Sequence, residues 1–147
     1  MDTIAILRDT PFFKSLDDTE LDAVAKCVVE RTYGGGSLVI QEGAPGDALY
    51  LVRKGKVRVE KEAAGKRLTL AELGPGQAFG EMSLVSSFPT SASVTALEDS
   101  ELLAIGRLDL NVLLNWNPIL AAKMWRSFTE MLSVRLRDMN ERMLALK

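Results

Sequence analysis

In the stretch Gly74-Pro75-Gly76-Gln77-Ala78-Phe79-Gly80-Glu81-Met82-Ser83-Leu84-Val85-Ser86-Ser87-Phe88-Pro89-Thr90-Ser91-Ala92-Ser93-Val94, residues 80–87 break the β rhythm of the sequence around them. Glycine and proline at 74–76 supply the positive and fixed φ angles of a chain reversal. Gly80, without a Cβ, lets the backbone come close to a ligand. Glu-Met-Ser-Leu then predicts a single short helix over 81–87, whose opening amides turn partial positive charge outward and suit a phosphate. The hydroxyls of Ser86, Ser87, Thr90, Ser91 and Ser93 follow. For Ser86 and Ser87 the plain reading is a solvated serine-rich turn, while the others are candidates to line an anion pocket.

Outward from this insert, residues 29–106 carry short β-prone runs separated by Gly and Pro, the texture of an antiparallel sandwich or barrel. The runs fall at 29–33, 37–41, 48–53, 56–61, 67–73, 91–97 and 101–105. In Val57-Arg58-Val59-Glu60 and Leu68-Thr69-Leu70 every second residue is apolar, which leaves one sheet face wet. Glu60, Glu62 and Glu72 belong to that wet face. Turns are expected at Gly34-Gly35-Gly36, at 43–47, at 64–66 and at 74–76. The fold class is therefore mainly β with flanking α: a double-stranded β-helix, or jelly roll, of about eight strands with N-terminal helices and a long C-terminal helix.

The helices frame the roll. Residues 2–8 predict a short helix, which Pro11-Phe12-Phe13 breaks with an apolar anchor. Asp17 is the N-cap of the next, with Glu20 at its third position and Leu16 facing Leu21 as a staple, and it should run to about Val28. Residues 108–115 form a third helix, and Pro118 opens a last one reaching about Leu146, roughly 40 Å long. On it Ala121, Trp125, Phe128, Leu132, Leu136, Met139, Met143 and Leu146 make a stripe at three- and four-residue spacing. Half of so long a rod is expected to lie on its own domain and half on a second copy, a homodimer through 118–146 with Trp125 and Phe128 in the seam.

Composition closes several routes. The 147 residues suit one domain spanning 1–147, divided into helices at 1–28, the roll at 29–106 with its insert at 80–93, and helices at 107–147. A formal net charge of −2 gives no general attraction to nucleic acid or an anionic membrane. There is no histidine, which removes Ser-His-Asp and Cys-His catalysis and every His-ligated metal. No metal site and no enzyme activity are expected. The lone Cys27 forms no internal disulfide and reads as an inert, buried thiol. No apolar run reaches membrane-spanning length and Met1-Asp2-Thr3 begins no signal peptide, so a cytoplasmic location is expected.

The insert resembles the phosphate-binding cassette of the cyclic-nucleotide-binding domain, the family of catabolite activator protein-like and protein kinase A regulatory subunit-like proteins. The pattern from Gly43 through Gly46-Asp47-Ala48-Leu49-Tyr50-Leu51-Val52 to Gly55 resembles the same family, and so does the helical frame. The likeness covers almost the whole chain. It implies that Gly80 and the amides of Met82 or Ser83 meet a nucleotide, that Glu81 accepts from the ribose 2′-hydroxyl, and that Ser91 touches the phosphate. It places Ser93 where a hydroxyl helps select guanine over adenine. Trp125 either caps a base or packs in the core or seam, and packing is the favoured reading.

One departure stands against these matches. The family pattern Pro-Arg-[Ala/Ser/Thr]-Ala-[Ser/Thr]-Val reads Pro89-Thr90-Ser91-Ala92-Ser93-Val94 here, so the arginine that pairs with the cyclic phosphate is replaced by Thr90. Arginine offers a charged, two-toothed grip and threonine one neutral hydroxyl. Losing a charged partner to an enclosed anion costs on the order of 2–5 kcal/mol, and each 1.4 kcal/mol is about tenfold in affinity. No Lys or Arg lies between Arg67 and Arg107; a distant one brought in by the fold, such as Arg53 or Arg126, is the remaining source of charge.

The resemblance thus implies a non-enzymatic regulatory or sensor module. It would bind cyclic AMP, ahead of cyclic GMP, weakly, or a related anionic ligand, through the 80–93 cassette (Gly80, Glu81, Met82, Ser83, Thr90, Ser91 and Ser93). The signal would leave through the C-terminal helices. The alternative is a degenerate domain with no nucleotide that acts in dimerisation or protein interaction. DNA binding is not expected of this chain alone, since the family's DNA readers carry a helix-turn-helix after the long helix and the sequence ends at Lys147.

Overall fold

The computed structural model describes residues 2–84 and 89–146: two short helices, a jelly roll of two four-stranded antiparallel sheets, and two more helices. In chain order these are α1 (Thr3–Asp9), α2 (Asp18–Ala25), β1 (Val28–Tyr33), β2 (Leu38–Ile40), β3 (Ala48–Lys54), β4 (Val57–Ala63), β5 (Lys66–Leu73), β6 (Ala78–Phe79), β7 (Ser93–Ala96), β8 (Ser100–Gly106), α3 (Arg107–Trp116) and α4 (Pro118–Ala145). Turns of 3-10 helix stand at Pro11–Phe13 and Glu81–Leu84. One sheet has the order β1-β8-β3-β6 and the other β2-β7-β4-β5.

The two sheets differ because one is covered on both faces. In β3, Leu49 and Leu51 turn outward to the helices, while Ala48, Tyr50 and Val52 turn inward to the other sheet. In β8, Leu103 and Ile105 join the helical core, and Leu102 and Ala104 the inner one. These strands are therefore apolar at nearly every position, as a doubly covered strand must be. In β5 the expected alternation fails at Leu68 and Leu70, which are exposed. The register slips between Val59 and Glu60, so Ala71 pairs with Val59 but Thr69 pairs with Glu60. That irregularity turns Ala71 and Leu73 toward the interior cavity. The two-residue β6, which has no sequence signal of its own, hydrogen-bonds to β3 through Tyr50↔Phe79.

The helical frame forms as its caps dictate. Asp17 accepts from the Glu20 amide at 2.8 Å while Glu20 accepts from the Asp17 amide at 2.9 Å, a reciprocal box that satisfies two otherwise orphaned donors. Leu16 and Leu21 are both buried in the helical core. The helix stops at Ala25 rather than Val28, because Val28 is drawn into β1 by pairing with Ile105. Asn117 caps α4 at Leu120, with Pro118 in its first turn.

The stripe on α4 divides. Of its first members Phe128 is buried and Ala121, Trp125 and Leu132 are half-buried, while Leu120 and Met124, outside the expected stripe, complete the buried face; the Phe128 ring lies 5.2 Å from Phe12. Lys123 reaches back to Glu20 at 2.6 Å. Beyond Leu132 Arg135 still reaches the roll, but the apolar side chains turn to solvent, and Leu136, Met139 and Met143 are 59%, 59% and 64% exposed. Trp125 packs edge-on against Phe128 with the rings 6.0 Å apart. Phe128 is thus taken up within its own chain by the anchor Pro11–Phe13 rather than left for a seam between copies, Trp125 is half-buried beside it, and among the described residues the distal half of α4 carries the exposed apolar side chains. No helix is long and apolar enough to cross a membrane among the described residues.

Candidate functional site

Between the sheets, beside the cassette, lies a cavity of about 760 Å³, within the size range of small-molecule sites. Val39, Ile40, Val59, Leu73 and Val94 wall it on one side, and Ala48, Tyr50, Ala78 and Phe79 on the other. Tyr50 and Phe79 stack nearly parallel, 9° apart in plane and 5.1 Å between centroids, so the inner wall is a flat aromatic surface. Among the described residues four charged side chains reach the cavity, Arg31 and Arg135 against Asp47 and Glu81.

Each cassette residue has a definite place. Gly80 has φ +81°, and a Cβ there would stand 2.7 Å from the Ala48 carbonyl oxygen. The glycine is demanded first by this approach of two strands, whatever binds above. Glu81 opens the 3-10 turn and is ion-paired with Arg135 from α4, with its side chain only 13% exposed. Met82 lines the mouth and is exposed. Ser83 lies within the same turn. The expected helix over 81–87 is a 3-10 turn as far as Leu84; its remainder, with Ser86 and Ser87, lies outside the described residues.

At the far end of the cassette, Thr90 Oγ1 donates to the Gln41 carbonyl at 2.7 Å, so its proton is already committed. The Thr90 amide donates to Ala44 and its carbonyl accepts from Gly43, which ties this segment to the loop before β3. Ser91 lines the cavity, and its carbonyl accepts from Lys61 Nζ at 2.7 Å. Gly80, Glu81, Met82, Thr90 and Ser91 are thus brought together. Ser93 is set apart: its hydroxyl accepts from the Glu42 amide at 2.9 Å, and it borders a smaller depression of about 310 Å³ with Glu60, Glu62 and Arg67.

The positive charge comes from places not foreseen. Arg53 pairs with Glu30 at 2.5 Å and Arg126 with Glu130 at 3.5 Å, and neither reaches the cavity. Arg31 and Arg135 do. Arg31 is set on the inner face of β1 by its register opposite Leu102, an inner-core residue. Its Nη1 donates to the Tyr50 hydroxyl at 3.1 Å, and the guanidinium lies 5.9 Å from the Tyr50 ring centre. Burial, and then the nearby charge of Asp47, push the Tyr50 phenol up to about 12, so it stays a neutral hydroxyl. Arg31 itself is lifted above its ordinary range chiefly by hydrogen bonding to Tyr33. Strand alternation alone does not reveal an inward arginine on an edge strand; only the β1–β8 register does.

Two other candidates fall outside the site. Trp125 belongs to the helical core, not the cavity wall. Cys27 is half-buried beside the same core rather than fully buried, and there burial first and Asp109 second push its thiol up.

Comparison with known proteins agrees with this architecture. Residues 30–117 match the family model described as cyclic nucleotide-binding domain. The cyclic AMP receptor protein of Thermus thermophilus is 39% identical over 133 residues, covering 90% of this chain and 60% of the relative's length. The chain thus spans under two thirds of that relative. The crystal structure of the N-terminal domain of a transcriptional regulator from Streptomyces coelicolor superposes with a TM-score of 0.80 at 36% identity, over 92% of this chain and 95% of that one. A cyclic nucleotide-binding domain from Methylobacillus flagellatus gives a TM-score of 0.84 at 27% identity, over 99% of this chain and 82% of that one.

Proposed function

The chain belongs to the cyclic nucleotide-binding domain family, and from that we propose that it is a non-enzymatic, cytoplasmic regulatory module whose cavity takes a cyclic nucleotide, cyclic AMP ahead of cyclic GMP, and whose long helix reports the occupancy. The observation that carries this reading is the Glu81–Arg135 pair, which ties the cassette to α4 across the mouth of a nucleotide-sized cavity. A sugar hydroxyl that donates to Glu81 competes with Arg135 for the same carboxylate. Occupancy then weakens the tether on the distal half of α4, whose apolar side chains beyond Leu132 take no part in the core among the described residues. A ligand shifts such an equilibrium only by its differential affinity for the two states, and the contest for one carboxylate supplies that difference.

Affinity is expected to be weak, because Thr90 has no charge and its proton is spent on Gln41. Calorimetric titration with cyclic AMP and cyclic GMP tests the reading. Binding tighter than millimolar, with cyclic AMP ahead, supports it; no heat from either nucleotide, with Thr90→Arg equally silent, overturns it.

A second reading, a dimerisation module without a nucleotide, draws on the exposed Leu136, Met139 and Met143. A second copy packed along this half of α4 would cover them. Under that reading light scattering shows a dimer whose state does not depend on any nucleotide.

A further inference from the structure

If a cyclic nucleotide does enter the cavity, its single negative charge needs a partner there. An anion moved into mostly apolar walls is costly unless it is paired and hydrogen-bonded. In the cassette the Thr90 hydroxyl and amide are already tied, to the carbonyls of Gln41 and Ala44, and what remains there among the described residues carries no positive charge. Lys61 donates to the Ser91 carbonyl and stands 3.7 Å from Glu42. Arg135 is taken by Glu81. Arg31 differs from both: its hydrogen-bonding partners, Tyr50 and Tyr33, are phenols, the carboxylate of Asp47 acts on it only through space, and among the described residues it forms no ion pair.

Geometry places that charge within reach of the cassette. The Tyr50 ring spans the inner wall between them: a Cβ on Gly80 would lie 3.5 Å from Tyr50 Cδ2, and the hydroxyl at the other end of the ring holds Arg31 at 3.1 Å. Tyr50 is itself fixed by stacking on Phe79 and is 2% exposed, so the guanidinium is held by a rigid support. A guanidinium is planar and carries five N–H donors, and with Nη1 engaged the fork retains donors for a two-toothed grip on phosphate oxygens.

We propose that Arg31 is the anion clamp of this cavity, holding the cyclic phosphate at the β1 wall, so that the charged end of the guest points away from Thr90. This rests on the nucleotide reading above and adds the residue and the orientation. The chain then needs no arginine in the cassette, since β1, in the same sheet as β6, delivers one to the cavity.

The test compares cyclic AMP with uncharged adenosine on the full chain, using ligand-observed NMR and calorimetry for the wild type, Arg31→Gln, Arg31→Lys, Thr90→Arg and Arg31→Gln/Thr90→Arg, each checked for folding by circular dichroism. Removing a charged hydrogen-bonding partner is expected to weaken cyclic AMP about ten- to hundredfold. Adenosine binding should change less than about threefold, because it has no charge to lose, and Arg31→Lys should lie between. Thr90→Arg should restore affinity in the double variant. Unchanged cyclic AMP binding in Arg31→Gln overturns the clamp while leaving the nucleotide reading intact, and so does an equal loss for adenosine. Absence of binding by both the wild type and Thr90→Arg overturns the nucleotide reading and the clamp together.

Discussion

Arg135, in the distal half of the long helix, closes on Glu81, the first residue of the cassette turn, and so joins segments 54 residues apart. Among the described residues it is the polar contact that joins the outer part of α4 to the roll, where the flanking apolar residues, Val134 and Leu136, are exposed. Arg135 is itself 47% exposed, so the pair adds no more than ~1 kcal/mol to stability. Arg135→Ala should therefore leave the melting temperature nearly unchanged yet speed amide exchange after residue 132, as read by hydrogen–deuterium exchange mass spectrometry. Glu81→Gln should do the same and also weaken cyclic AMP.

Gly80→Ala should destabilise the fold without touching a ligand. The added methyl meets the Ala48 oxygen at 2.7 Å, and the residue must keep φ +81°. A left-handed conformation alone costs a non-glycine residue roughly 1–2 kcal/mol, and the clash adds to it. Urea unfolding should show a loss of at least about 2 kcal/mol.

In the Arg31→Gln background, where the phosphate has lost its charged partner, Thr90→Arg should raise affinity for cyclic AMP at least about tenfold, read by calorimetry. The cost is the Thr90–Gln41 hydrogen bond, worth about 1 kcal/mol, which should appear as a small drop in melting temperature.

The two halves of α4 should respond oppositely to substitution. Phe128→Ala removes a buried ring that packs on Phe12 and Trp125, and should cost about 3–5 kcal/mol. Met139→Glu with Met143→Glu alters exposed side chains and should leave stability of the domain within about 0.5 kcal/mol. If two copies meet along this helix, light scattering should show the double variant as a monomer at concentrations where the wild type is a dimer.

Alkaline titration should find one phenol out of step. The Tyr50 phenol is raised to about 12 in the folded chain, above its ordinary value of 10.0. A raised pKa means that the native state keeps its proton when the unfolded chain has released it. This contribution to stability is complete below pH 10 and is lost as pH climbs from 10 toward 12. Absorbance near 295 nm should show the late ionisation, and Tyr50→Phe should remove both it and that part of the pH dependence of unfolding.

Much of the scaffold is written locally. Asp17, Glu20 and Leu21 specify the start of α2 by capping chemistry within a few residues, and Asn117-Pro118 does the same for α4. The alternation of Val57 and Val59 marks a half-wet strand. What local signals miss is decided at a distance. Val28 leaves its predicted helix because Ile105 offers a ladder partner, and Leu70 turns outward because β5 slips against β4. At the site, Gly80, Glu81 and Thr90 are visible as a contiguous pattern. Arg31 and Arg135 are not, since each sits in a segment that reads as an ordinary charged strand or helix face and only the β1–β8 register and the course of α4 carry them to the cavity. Ser93 shows the converse: its place in the pattern suggested the pocket, but its hydroxyl serves the Glu42 backbone.

The pairing of β1 with β8 also governs how the chain is born. Val28 must find Ile105 and Tyr33 must find Ser100, so the sheet that supports the helical core joins the two ends of the roll. During synthesis the first hundred residues have no means of completing that sheet, and they remain open until Gly106 has left the ribosome. Contacts so far apart in the chain are formed slowly. Ribosomes stalled just before and just after β8 clears the exit tunnel should therefore carry nascent chains of sharply different protease resistance.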